Sequence, residues 1–103
     1  MAWYVYIAYF FAGCFLANGV PHFVHGISGE RFVTPFASPI GVGESSALVN
    51  VIWGLVSFLI GYVLVFRVGQ FAFGFNPGVL MVGLGIVITS VFLAWYFERV
   101  RVR

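Results

Sequence analysis

Three long apolar runs without a single charged side chain constrain this chain more than any other feature. They extend from about Ala2 to Val20, from about Ser46 to Phe66 and from about Pro77 to Phe97. A bilayer core about 30 Å thick needs about 20 apolar residues of helix. Because lipid offers no partners to the backbone, and because the runs lack the alternation of barrel strands, each is expected to be a helix. The sequence predicts an all-α integral membrane protein with three transmembrane helices.

The scarcity of charge excludes several other classes of protein. Only 8% of the 103 residues are charged, whereas an ordinary soluble domain carries about 25%. Disordered chains are polar and rich in charge, which this chain is not. The net charge of +2 comes without a basic stripe that could neutralise phosphates, so nucleic-acid binding is not expected. Residues 1–103 are interpreted as one membrane domain.

The first connection is expected to be an ordered loop at the membrane interface, over residues 21–45. Pro21 is predicted to end the first helix, because proline removes a backbone donor from a helix interior. The loop combines three Pro and four Gly residues with both histidines. In the shorter connection, residues 67–76, alternating phenylalanines predict a segment that lies in the interface.

Arginine placement predicts the orientation of the chain. The long loop and the tail at 98–103 lie on the same side of a three-span protein, and four of the five arginines belong to them. These are Arg31, Arg99, Arg101 and Arg103. The positive-inside rule then places the amino terminus outside and the tail in the cytoplasm. Arg67 is expected to reach the headgroups from the other side, and the basic tail is expected to contact anionic lipid.

Small and polar residues recur at helical spacing in each predicted span, which favours a packed bundle. In the second span the stripe consists of Asn50, Gly54, Ser57 and Gly61. In the third span it consists of Gly78, Gly85 and Thr89. In the first span it consists of Ala8, Ala12 and Gly19. Asn50 is expected to bond a neighbouring helix, since a polar group at membrane depth needs a partner; contact with a ligand is the alternative.

His22 and His25 are the candidate cofactor-binding residues. The simplest interpretation is that both imidazoles bond loop carbonyls and headgroups. The alternatives are a metal site completed by Glu30 or Glu44, a haem ligand, or a contact to quinone. Glu30 and Arg31 are expected to pair with each other or with headgroups, with a partner protein as the alternative. No cofactor is expected on the simplest interpretation; lipid or quinone remains open.

A central stretch of the chain resembles a group of small bacterial membrane proteins of unknown function. The resemblance is carried by residues 18–23 (Asn-Gly-Val-Pro-His-Phe), 26–29 (Gly-Ile-Ser-Gly), 34–37 and 50–54. The turn around Pro21 and His22 is also similar to the end of the first helix in DoxX-like proteins, which are four-helix bundles. The resemblance implies a bacterial inner membrane and carries over no catalytic residue.

The absence of a catalytic motif shapes the functional hypothesis. The sequence contains no nucleophile elbow, phosphate-binding loop or paired-cysteine motif, and the chain is interpreted as not an enzyme. We expect a non-catalytic subunit that packs into a larger membrane assembly, such as an energy-transducing complex, or that associates with itself. The alternatives are a quinone, haem or metal binder using His22 and His25, and a small oligomeric transporter or pore.

Overall fold

The computed structural model describes residues 2–101 and places three long helices within them. These are α1 (Trp3–Ile27), α2 (Ala47–Phe66) and α3 (Pro77–Arg101), and all three are long and apolar enough to cross a membrane. Two short strands, β1 (Phe32–Val33) and β2 (Glu44–Ser45), pair antiparallel in the first connection. The predicted all-α fold with three candidate spans is confirmed.

The dimensions of the bundle match those of a bilayer. α1 and α3 each contain 25 residues, which at 1.5 Å per residue gives a length of about 37 Å. The longest extent of the molecule is 44 Å, similar to a bilayer of about 40–45 Å including its headgroups. α1 and α3 are therefore long enough to reach from the hydrocarbon into the interfacial layers.

The predicted end of the first helix at Pro21 is wrong, since α1 continues through Pro21 to Ile27. The connection to α2 therefore covers residues 28–46 rather than 21–45. A proline in a helix costs one backbone hydrogen bond, and membrane helices tolerate it where neighbouring elements support the chain. Here His22 and Gly26 are buried, so the turns beyond Pro21 are held by tertiary packing.

The predicted tail also differs from the structure, because α3 does not end at Phe97. It continues to Arg101, so Arg99 and Arg101 lie on a helix rather than on an extended tail. Lys, Arg and His in a last turn interact favourably with the helix dipole, which is one reason for the extension. Arg103 lies outside the described residues.

The central position of α1 defines the arrangement, because α1 packs against both α2 and α3. Towards α3, a Cβ atom built on Gly85 would overlap the carbonyl oxygen of Phe10, and one on Gly13 would overlap the carbonyl oxygen of Val82. Towards α2, a Cβ on Gly54 would press on the backbone of α1 at Phe23. Glycine is needed at these positions because the helix backbones touch.

The first connection is folded against the helix ends. Directly after β1, the Thr34 hydroxyl forms a hydrogen bond of 2.6 Å with the Ser45 hydroxyl of β2. Gly41 has a φ of +89°, a conformation that glycine adopts without cost. Its carbonyl accepts a hydrogen bond from the Tyr96 hydroxyl of α3. Ser46 then caps α2 by accepting a hydrogen bond from the Val49 amide at 3.2 Å.

The second connection, residues 67–76, contains no helix or strand. Phe71 packs edge-on against Tyr9 of α1, with ring centroids 5.3 Å apart. Phe73 and Phe75 are 82% and 92% exposed. The protein itself therefore leaves both rings uncovered at this end of the bundle.

Candidate functional site

Asn50 is the centre of a buried polar cluster where α1, α2 and the first connection meet. Its side chain is fully buried. The carbonyl oxygens of Ser46, Phe32 and Ser45 lie 3.0, 3.2 and 3.2 Å from the amide nitrogen, and they share its two N–H donors. The side-chain oxygen lies 2.8 Å from Nδ1 of His22. One residue of α2 thereby bonds its own helix start, the strand pair and α1.

The bonds of Asn50 determine the proton position on His22. Because the Asn50 nitrogen contacts three carbonyl oxygens, the side-chain oxygen is the atom that faces His22, and it can only accept. Nδ1 of His22 must therefore donate to it. In a neutral imidazole with a proton on Nδ1, Nε2 is an acceptor, and it has no hydrogen-bond partner among residues 2–101.

His25 lies one turn further along the same face of α1, and its surroundings are more exposed. Its Nδ1 lies 2.6 Å from the Glu30 carboxylate. Its ring stacks on Phe32, with centroids 4.1 Å apart, while His22 meets the same ring edge-on at 5.3 Å. Phe32 therefore separates the two histidines, and each ring already uses Nδ1 in a bond to a side chain.

The basic residues near this end are held by aromatic rings and by the strand pair. Arg31 donates to the Glu44 carbonyl at 2.9 Å, rather than pairing with Glu30. Arg101 lies over the Phe32 ring at 4.6 Å, with its Nε 3.9 Å from the Glu44 carboxylate. Arg99 lies over the Trp95 ring at 4.7 Å. Arg67 is exposed at the other end, directly after α2.

The remaining small and polar residues from the sequence analysis lie along α2 and α3. Gly54, Ser57 and Gly61 are buried together with Asn50, and Ser57 accepts a hydrogen bond from Asn18 at 3.3 Å. Gly61 faces Leu16 and the Ala12 carbonyl. On α3, Gly78 lies against Tyr9 and Gly85 against Phe10, while Thr89 is only half-buried.

A small aromatic cavity of about 260 Å³ lies beside the Asn50 cluster, between the helices and the first connection. His22 and Trp53 line it from α1 and α2, and Phe92, Tyr96 and Phe97 line it from α3. The indole Nε1 of Trp53 is buried and has no hydrogen-bond partner among residues 2–101. Buried donors are nearly always paired, so this one requires an explanation.

A larger opening, the lateral groove, lies along α1 between α2 and α3 and measures about 680 Å³. Leu16, Ala17 and Val20 line it from α1, Phe58 from α2, and Ser90 and Ala94 from α3. The groove extends to His25 and Arg101. From Leu16 to His25 it follows about 14 Å of helix, which is close to half of the hydrocarbon thickness.

The contacts of the two histidines bear on the metal and haem alternatives. Among residues 2–101, no group of three or more His, Cys, Asp or Glu side chains could hold a metal ion. Structural metal sites use about four ligands, whereas His22 and His25 bond to Asn50 and Glu30. Nδ1 of each histidine is therefore already in a hydrogen bond and is not free to bind a metal ion or a haem iron.

Sequence reasoning missed several residues that build this region, namely Gly13, Gly26, Phe32 and Tyr96. Gly26 continues the stripe of Ala12 and Gly19 at the same seven-residue spacing, and extending the helix past Pro21 would have revealed it. Gly13 lies next to that stripe and packs against α3 instead. Phe32 and Tyr96 act through contacts distant in sequence, for which no local signal exists.

Comparisons with known proteins add no assignment: no protein-family model, curated protein or solved structure matches this chain. The function must therefore be argued from the residues themselves.

Proposed function

We propose that this protein is a non-catalytic membrane subunit that packs against a transmembrane helix of a partner protein through the lateral groove. The single observation that supports this is the shape of the bundle. α2 and α3 flank α1, and the α1 surface between them stays open as a groove of about 680 Å³. A fourth helix in that groove would contact all three helices.

Three of the residues that line the groove are small enough to let a partner helix approach closely. Ala17, Ser90 and Ala94 are small, and small residues let helix backbones approach closely in a membrane. Lipid provides no hydrophobic drive for association, so close packing and hydrogen bonds must supply it. The Ser90 hydroxyl can bond across such an interface. A second copy of this chain is the other partner that this surface would accept.

The proposed function includes an orientation and a location in the membrane. Arg101, which lines the groove, is expected to face the cytoplasm together with Arg31 and Arg99, with the amino terminus outside. The proposed location is the bacterial inner membrane. Reporter fusions at each terminus test the orientation, since a reporter active only outside the cytoplasm should be active at the amino terminus and inactive at the carboxyl terminus.

Filling the groove tests the proposed function. We would extract tagged protein from its native membranes in mild detergent and compare the mass of the complexes it forms. Ala94→Phe places a bulky ring in the groove, and Val91→Phe places the same ring on the outer face of α3, where Val91 is 66% exposed. We expect Ala94→Phe to dissociate the complex and Val91→Phe to leave it intact.

Two results would overturn the proposal. One is a wild-type protein that migrates only as a monomer in every mild detergent and in nanodiscs. The other is a complex that survives Ala94→Phe but is lost in Val91→Phe. Co-purification of differently tagged copies separates self-association from a subunit role in a larger assembly.

A further inference from the structure

Arg101 lies at one end of the lateral groove, and its guanidinium group is not hydrogen-bonded. It lines the groove together with His25 and Phe32, and its guanidinium carbon lies 4.6 Å from the centroid of the Phe32 ring. The Glu44 carboxylate is 3.9 Å from Nε, whereas a hydrogen bond between such charges is about 2.7–2.9 Å long. Among residues 2–101, Arg101 therefore has an ion pair but no acceptor for its five N–H donors.

Ser90 lies on the same stripe of α3, three turns before Arg101. The stripe continues from Ser90 through Ala94 and Phe97, and all four residues line the groove. Ser90 is exposed near the middle of the third candidate span, and its hydroxyl forms no hydrogen bond within the described part of the chain. A hydroxyl without a partner is costly at membrane depth. The two polar residues are about 16 Å apart along the helix axis.

These two polar groups indicate the chemistry of the molecule that fills the groove. An acyl chain has no donor or acceptor, so a lipid tail leaves the Ser90 hydroxyl unpaired. A transmembrane helix can offer polar side chains at both depths, since positions eleven residues apart lie on one of its faces. Opposite Arg101 the complementary group is a carboxylate, because no Asp or Glu of the described chain lines the groove and a guanidinium binds a carboxylate through two parallel hydrogen bonds.

We infer that the helix in the lateral groove carries an Asp or Glu opposite Arg101 and, about eleven residues away, a Ser, Thr, Asn or Gln opposite Ser90. This inference rests on the proposed function, since it names the chemistry of the partner in the same groove. Arg101 is the last residue of α3, so the carboxylate lies near the headgroups, where charge costs less than at the bilayer centre. Two polar contacts at this separation fix the register of the partner helix.

A second copy of this chain does not meet both requirements. Within the described helices its only carboxylate side chain is that of Glu98, which shares the outer face of α3 with Val91. The residue eleven positions before Glu98 is Val87, whose side chain cannot form a hydrogen bond. The partner that fits is therefore a different polypeptide.

Designed transmembrane peptides test the inference with probes of known sequence. Each is a leucine–alanine helix with Ser and Glu eleven residues apart, in either order, and a matched peptide carries Gln in place of Glu. We would reconstitute the labelled peptides with full-length protein in phosphatidylcholine vesicles and measure binding by energy transfer to a dye at the amino terminus of the protein. The better-binding Glu peptide should bind wild-type protein about tenfold more tightly than its Gln counterpart.

Substitutions at Arg101 separate a carboxylate contact from a structural role. Arg101→Gln should weaken binding of the Glu peptide about tenfold and change binding of the Gln peptide by less than twofold, which also verifies that the groove is intact. Arg99→Gln is the matched control, because it removes the same charge from a residue that lies over Trp95 and does not line the groove. It should leave the preference for Glu unchanged. Ser90→Ala should weaken both peptides about threefold.

Three outcomes would overturn the inference and leave the proposed function standing. Equal affinities of the Glu and Gln peptides for wild-type protein would mean that Arg101 binds no carboxylate of the partner helix. Loss of the preference in vesicles that contain phosphatidylglycerol would mean that Arg101 holds a lipid phosphate. Energy transfer between two copies without peptide, abolished by Glu98→Gln, would mean that a second copy fills the groove.

A fourth outcome would refute the inference and the proposed function together. If no peptide binds, or if Ala94→Phe binds every peptide as tightly as the wild-type protein does, the lateral groove does not hold a helix.

Discussion

Truncation of Asn50 is the most informative perturbation of the fold, because one side chain contacts four polar groups. Asn50→Ala removes the bond to His22 and the contacts with three carbonyl oxygens, at distances between 2.8 and 3.2 Å. Hydrogen bonds in membrane proteins contribute about 0.6 kcal/mol on average, and buried ones in soluble proteins about 1 kcal/mol. The side chain accepts one bond and has two N–H donors, so the expected loss in the free energy of unfolding is about 2–3 kcal/mol.

Unfolding in mixed detergent and sodium dodecyl sulfate micelles, followed by tryptophan fluorescence, measures that loss. The matched control is Asn18→Ala, which removes a single half-buried bond of 3.3 Å to Ser57. It should cost about 0.6 kcal/mol. If Asn50→Ala were no more destabilising than Asn18→Ala, the Asn50 cluster would not hold α1, α2 and the first connection together.

Four further substitutions have expected outcomes that the same unfolding assay can check. Gly85→Ala should cost about 1–3 kcal/mol, because the added methyl group meets backbone, whereas Gly83→Ala has open space and should gain about 0.5–1 kcal/mol; equal effects would refute the close approach of α1 and α3. Tyr96→Phe removes the bond to the Gly41 carbonyl and should cost about 1 kcal/mol, with faster amide exchange in residues 38–43; unchanged exchange would contradict that tether. Ser46→Ala removes the cap of α2 and should cost about 1 kcal/mol; no loss would show that the cap contributes nothing.

Hydropathy was sufficient to predict the number of helices, because every span needs about 20 apolar residues to cross the hydrocarbon core. It was insufficient at Pro21, where propensity predicted a helix end and packing against α2 overrode it. The lesson is general for membrane helices, in which the backbone has no alternative partners in lipid. An expected helix end at proline therefore carries less weight there than in water.

The polar residues show where sequence reasoning stops. A partner for Asn50 was expected from the cost of burying an amide, but nothing local indicated His22 as that partner or the three carbonyls as its acceptors. Trp53 was one aromatic among many until the structure showed its N–H buried and unpaired. Such pairings depend on how α1 lies between its neighbours, and periodicity within one helix does not contain that information.

The most direct test of the proposed subunit role is a photocross-linking experiment in native membranes, with benzoylphenylalanine replacing Phe58, whose ring already lines the groove, or Val91 on the outer face. We predict that the probe at position 58 captures a polypeptide, either another protein or a second copy of this chain, and that the probe at position 91 captures lipid. The wild-type chain offers no cross-linking group and serves as the blank. Lipid adducts at both positions would contradict the account, because the lateral groove would then be filled by the bilayer alone.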